Sequence, residues 1–275
     1  MAAFTLKILL LTSLCFSIDA EDFKFEMKGV KVSLISELSK VSPGEKFTVA
    51  FYIQHFDDYH TYWKNPGLVG FATSIEWALP KDFKAGPVKW QVPERSKMLK
   101  YNCHAYKGDA YLLVDIQAPK DIPKDFKLKA KVGGMSCSTK ECCKIGFLDV
   151  ELPLQRTTQS AVNEASKKKI DLAKLRLPEE SDKVKIDATR DGEWLTLKIS
   201  GKLPKFKDLY FYSYKNITDT EAEQNLEIRE GVSYLKVKLN KYAPEKIVSV
   251  GGLLYNESGW NSEKLKYIRF EKKLN

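Results

Sequence analysis

Three cysteines, Cys137, Cys142 and Cys143, fall in the short run "CSTKECC" of a chain that holds 5 cysteines in 275 residues. Thiols this close together support three kinds of chemistry: a structural disulfide, a soft-metal site, or a pair that opens and closes by exchange. "KLKAKVGGMSC" and "CKIGFLDVEL" read as two strands about the turn "STKEC". Facing residues of an antiparallel pair lie about 4.5–5.5 Å apart between Cα atoms, within disulfide range. Neighbours on a strand point to opposite faces, so only one of Cys142 and Cys143 can meet Cys137.

As a staple, a Cys137–Cys143 ring would stabilise by about 2.4 kcal/mol on the loop-entropy estimate, against about 3.8 kcal/mol for a Cys103–Cys137 ring. A small ring at an exposed turn is a weak staple, and an attacking thiolate can reach it. Lys140 and Lys144 flank the cluster and favour a thiolate, while Glu141 opposes them. Zn²⁺ or Cu⁺ would suit the three thiols with Cys103 or His104 as a fourth ligand, although the spacing matches no zinc ribbon or finger. His55 and His60 differ by an odd offset, and on one strand they would face opposite ways. The residues alone leave staple and redox pair open, with a metal site behind both.

The compartment bears on this choice. "MAAFTLKILLLTSLCFSIDAEDF" reads as an export signal over residues 1–20, with Lys7 at the positive end, Ile8 to Ile18 apolar, and cleavage after Ala20. The apolar run is too short to span a bilayer and no later stretch is longer, so stable membrane insertion is not expected. Leu14 precedes Cys15 where lipid attachment wants a small residue; a cleaved, soluble exported product is expected rather than a lipoprotein. Four cysteines remain after cleavage, an even number, in a setting where disulfides persist. The formal net charge of +9 is spread over alternating Lys, Asp and Glu. No basic stripe or nucleic-acid motif is present, so nucleic acid is not an expected partner.

The elements that must position these thiols are strands. "KVSLISELSKVSPGEKFTVAFYIQHF" shows two alternating runs about Ser42-Pro43-Gly44-Glu45, and "TSIEWALP", "AYLLVDIQAP", "FKLKAKVGGM" and "GFLDVELPL" continue the pattern. Short alternating strands with Pro or Gly at their ends predict an all-β chain: an immunoglobulin-like β-sandwich over residues 21–155. Residues 156–182, polar and rich in Ala and Lys, are compatible with a linker holding one short helix. Residues 183–275 read as a second, mainly β domain, with a hairpin about Asp191-Gly192 and neither cysteine nor histidine.

"DDYHTYWKNPG" at residues 57–67, then "SIEWALPKDFKAGPVKWQVPER", then "YKGDAYLLVDI", then Cys137 to Gly146 form an ordered series. That series resembles the exported N-terminal domain of the thiol:disulfide interchange protein DsbD family, in its longer ScsB-type form linked to copper tolerance. The resemblance covers most of residues 25–155, and the second half resembles, more weakly, the β-rich segment that follows in the longer relatives. It implies an immunoglobulin-like domain that carries electrons through two cysteines on a hairpin. A thioredoxin-like or membrane thiol-electron donor would supply them, and oxidised exported proteins would receive them. "Cys143-Lys144-Ile145-Gly146" fits the family's "C-x-P-G" ending, so the resemblance pairs Cys137 with Cys143. Cys142 and Cys103 are then alternative or accessory thiols.

The family also shields its pair with aromatic residues and a covering loop. Here His60 and Tyr62 would serve from one strand face, and "VPERSKMLKYNCHAYKG" would be the loop, with Glu94, Tyr101 and Cys103 as candidates. This chain departs from the pattern in three ways: Ile145 replaces a proline, Cys103 and Cys142 are extra, and no membrane conduit or thioredoxin-like part follows. No metal site and no cofactor are assigned. The expected function is thiol:disulfide interchange. The competing expectation is a non-enzymatic β-sandwich binding module with structural disulfides or a soft-metal (copper) site. Glycine-rich phosphate loops, nucleophile elbows, metalloprotease helices and Cys-X-X-Cys motifs are absent from the sequence.

Overall fold

The computed structural model describes residues 27–138, 140–261 and 265–274; the side chains of residues 142–144 lie outside that description, as does the expected signal peptide, residues 1–20. The first half contains β1 (Val30–Ser36), β2 (Leu38–Val41), β3 (Lys46–His55), β4 (His60–Tyr62), β5 (Ser74–Ala78), β6 (Lys84–Ala85) and β7 (Lys89–Trp90). It continues with β8 (Glu94–Met98), β9 (Tyr101–Tyr106), β10 (Asp109–Gln117), β11 (Asp125–Cys137), β12 (Cys142–Arg156) and β13 (Ala161–Val162). After α1 (Glu164–Lys174) come β14 (Val184–Asp191), β15 (Trp194–Gly201), β16 (Tyr210–Ser213), β17 (Asn225–Arg229), β18 (Val232–Lys238), β19 (Ser249–Tyr255) and β20 (Tyr267–Lys273).

Two sheets form the first sandwich. One runs β1-β3-β10-β6, with β7 also on β10; the other runs β13-β2-β12-β11-β4-β9-β8, with β5 on β11. Strand β11 shows why the chain folds this way. Phe126, Leu128, Ala130 and Val132 point inward and are buried, while Lys127, Lys129 and Lys131 between them are exposed. That period of two is the signature of a strand with one face on a core. Opposite lie Val49 and Phe51 of β3 and Leu112 and Val114 of β10, all in the same core. Each such side chain contributes about 1.5–3 kcal/mol when fully buried.

The alternation stops at Gly133. From there to Cys137 the strand is buried on nearly every residue, with Met135 half-buried. This end of the sheet is therefore covered on both faces. The covering is what makes the site.

Helix α1 starts at Asn163, whose side chain accepts from the Ser166 N–H at 3.2 Å, with Glu164 in its first turn and Lys174 in its last. Ile170 and Ala173 seat it on Ala50 and Leu113, the outer face of the first sheet. The second half is itself two sheets, β14-β15-β18-β17 and β16-β19-β20. Leu195, Leu197, Leu235 and Val237 meet Phe211, Leu254 and Ile268 in its core. Gly192, with φ +55°, makes the tight β14–β15 turn that Asp191-Gly192 predicted. On β16 and β19 the alternate residues Tyr212 and Leu253 face the other way and join the core of the first half. The two halves thus share buried surface. Among the described residues the chain is all-β apart from α1, an immunoglobulin-like sandwich followed by a second β unit.

Candidate functional site

Cys137 ends β11, at the covered tip of the β11–β12 hairpin. It has no exposed surface, and it clusters with Tyr62 of β4, Cys103 and Ala105 of β9, Met98, Met135 and Val69. The register slips between Met135 and Cys137, a bulge of the kind that re-aims a side chain near a sheet end. The turn beyond is short: the Ser138 N–H donates to the Glu141 carbonyl at 3.0 Å, and Ser138 Oγ accepts from the Lys140 and Glu141 N–H groups at 3.2 Å. In backbone register Cys137 stands opposite Cys142, with Cys143 one place further along β12. The side chains of Cys142 and Cys143 lie outside the described residues.

Two elements close over Cys137. The first is the segment where a covering loop was expected, which is in fact a hairpin: β8 and β9 pair from Glu94–Ala105 to Met98–Tyr101, with Leu99 at φ +54° in its turn. Ser96 faces Cys103 in that pairing and both are buried. The second is the stretch after "WKNPG", which brings Val69 and Gly70 against Tyr62. Gly70 lies at φ +94°, and a Cβ there would come within 2.2 Å of the Tyr62 ring. Only glycine allows that approach.

Electrostatics bear on Cys103 and on the turn. Burial pushes the Cys103 thiol up to about 12, and the nearness of Cys137 adds to the shift. Cys103 is a free thiol that stays protonated at neutral pH. Around the turn, Lys28 pairs with Glu141 at 2.6 Å and the Tyr59 hydroxyl donates to the same carboxylate. Those hydrogen bonds raise Lys28 to about 12 and hold Glu141 below the usual carboxylate range. The negative charge expected to oppose a thiolate is thus largely answered by Lys28. That partner was not visible in the local sequence.

The other expected residues are spread over three settings. His60 stands opposite Cys137 in the β4–β11 register, and its ring meets Tyr62 edge-on at 5.3 Å. It is buried, and neither ring nitrogen has a hydrogen-bond partner among the described residues. Desolvation, with help from Lys107, pushes it down to about 4, so it is neutral at pH 7. Glu94 and Tyr101 are exposed. His104, weighed above as a fourth metal ligand, faces away from the thiols because it neighbours Cys103 on β9. Its Nδ1 is bonded to the Asn65 carbonyl at 3.0 Å and its Nε2 to the Tyr210 hydroxyl at 3.1 Å. His55 ends β3 rather than sharing a strand with His60; its ring bonds the Gly108 carbonyl and Thr61 Oγ1. Among the described residues no group of three or more His, Cys, Asp or Glu side chains is placed to hold a metal.

Met98, Val69 and Gly70 were missed as site residues. The sequence signal for them was weak: "NPG" followed by "LVG" marks a turn, and nothing local says what the turn covers.

Residues 32–152 match the family described as thiol:disulfide interchange protein DsbD, N-terminal. Among solved structures the chain is similar to the N-terminal periplasmic domain of ScsB from Proteus mirabilis, at 12% identity over 90% of this chain and 94% of that one, with a TM-score of 0.67. It is also matched to the DsbD N-terminal domain of Neisseria meningitidis in the reduced form, at 12% identity over 47% of this chain and 90% of that one, with a TM-score of 0.25. The first likeness shows the fold. Among curated proteins no sequence matches the chain closely enough to count as a relative. No helix among the described residues is long and apolar enough to cross a membrane.

Proposed function

Because residues 32–152 match the DsbD N-terminal family, we propose that the chain is an exported, periplasmic thiol:disulfide interchange protein using Cys137 and one thiol of the Cys142-Cys143 step. One observation carries the reading: Cys137 sits at a hairpin tip with a second cysteine opposite it, under a cover made of separate elements. The family's "C-x-P-G" ending favours Cys143 as the partner, whereas the backbone register favours Cys142, since facing residues are those close enough to bridge.

The proposed cycle balances in two electrons. A donor thiolate attacks one sulfur of the oxidised pair, forming a mixed disulfide and releasing the other sulfur as thiolate. A second donor thiolate resolves it, leaving a dithiol here and a disulfide on the donor. The dithiol then reduces a client disulfide by the same two steps in reverse order. The donor is a thioredoxin-like or membrane thiol protein, and the clients are oxidised periplasmic proteins. Because Cys137 has no exposed surface, exchange requires Val69 or the β8–β9 hairpin to swing aside first.

That same burial favours a second reading, in which Cys137 belongs to a structural bridge of a binding module. Mass spectrometry of the chain across glutathione buffers separates the two. Exchange predicts a single Cys137-containing bridge that equilibrates in the range of exchange proteins, about −270 to −120 mV, while the fold persists. A bridge that resists reduction until the sandwich unfolds would leave the structural reading. Peptide mapping of the oxidised form then tells Cys142 from Cys143.

A further inference from the structure

The cover over Cys137 is held from an unexpected direction. Strand β9 is anchored to β4 through Thr61–Tyr106 and Tyr62–Ala105, and by backbone bonds between His104 and both Trp63 and Pro66. Beyond His104 the hairpin leaves that support, and β8 is the last strand of its sheet. Yet this outer part, with Met98 and Cys103, is what walls the sulfur. A two-stranded ribbon without a further neighbour is marginally stable in water.

The missing support comes from residues more than a hundred positions later. The Asn102 N–H donates to a Glu221 carboxylate oxygen at 2.6 Å, and the Asn102 side-chain amide donates to the Thr220 carbonyl at 3.1 Å. The Arg95 guanidinium pairs with Asp208. The second covering element is pinned from the same side. The Asn65 side chain, buried, donates to the carbonyls of Ser213 at 2.7 Å and Lys215 at 3.0 Å. Gly67, at φ +95°, packs so closely on Thr220 that a Cβ would come within 2.6 Å of its methyl.

We infer that the second half is a clamp on the Cys137 cover, with Glu221, Thr220 and Asp208 as positioning residues that set how often the sulfur is exposed. The inference deepens the exchange reading by assigning its regulation to the second half. A partner that engages residues 208–221 would free the hairpin and the 65–70 stretch together, coupling recognition to access.

The test measures access alone, so its failure is distinct from a failure of exchange chemistry. The reduced mature chain is treated with iodoacetamide, and modification of Cys137 is followed by peptide mass spectrometry. Amide hydrogen exchange at Val49 and Leu128 reports the core. Glu221→Ala should raise the Cys137 rate about tenfold, because a charge-assisted bond to the backbone is lost. Glu221→Gln, which keeps an acceptor, should stay nearer the parent rate. Asp208→Asn, which weakens a different pin, should give about a threefold rise. Core exchange should not change. Rates within twofold of the parent in both Glu221→Ala and Asp208→Asn would overturn the clamp. So would a rise matched by faster core exchange, since that would be general loosening.

Discussion

Cys103 and His104 are neighbours on β9 and are equally buried, each with 1% of its surface exposed, yet they belong to different chemical worlds. Cys103 faces an apolar pocket of thiol, thioether and ring, with Ser96 beside it. His104 faces an aromatic box in which Trp63, Tyr210 and Tyr212 surround it at ring distances of 6.1, 5.9 and 4.8 Å. Burial disfavours the charged form in both cases, so the acid is pushed up to about 12 and the base down to about 4. The difference lies in hydrogen bonding. His104 bonds Asn65 of its own half through Nδ1 and reaches Tyr210 of the second half through Nε2, whereas Cys103 has no hydrogen bond across that boundary among the described residues. One strand therefore serves as a wall of the thiol pocket on one face and as a joint on the other.

The sharpest way to break this contrast is to remove sulfur on the pocket side. Cys137→Ala should lower turnover with a dithiol donor and a model disulfide by about 1,000-fold or more, while Cys103→Ala stays within about threefold. Equal losses would mean that Cys103 takes part in exchange. On the joint side, His104→Ala should cost about 2–4 kcal/mol in urea unfolding, because the buried Asn65 carbonyl and the half-buried Tyr210 hydroxyl lose their partner together and the aromatic box loses its central ring.

Acid probes the same joint. The folded-state pKa of His104 lies near 4, below the ordinary 6.5, so the unfolded chain binds more protons between those values. Its contribution is fully present above pH 6.5 and is lost as pH falls toward 4, by up to about 3 kcal/mol. His60, also pushed down to about 4, acts in the same direction. A urea midpoint that is flat from pH 7 to 4.5 would contradict this. Gly70→Ala should cost about 1–3 kcal/mol, since it strains a positive φ and meets the Tyr62 ring. Tyr101→Ala should fall within about 0.5 kcal/mol, as expected of an exposed side chain.

What could be read in the sequence was whatever depends on period and punctuation. "FKLKAKV" alternates lysine with apolar residues, and β11 does the same in space. Pro and Gly at run ends marked the turns, and Asp191-Gly192 marked the β14–β15 hairpin. His60 and Tyr62, two apart, share a face and touch. What could not be read was contact across long separations. Lys28 reaching Glu141, or Asn102 reaching Glu221, leaves no local pattern, because each side chain alone looks like an ordinary solvated polar residue. Even the covering segment was legible only as irregular: Arg95 to Tyr101 lacks clean alternation, because β8 is an edge strand whose outward residues face water.

The wide spacing between the pins and the hairpin has a consequence for the newborn chain. Cys137 is delivered roughly eighty residues before Glu221, an interval of about 4–17 s at ordinary rates of synthesis. Only after β12 and β13 have followed does the sandwich have all its strands, and even then the contacts that hold the cover over the sulfur are still to come. The order in which the two halves arrive thus sets when the cover can first close, before any partner has been encountered.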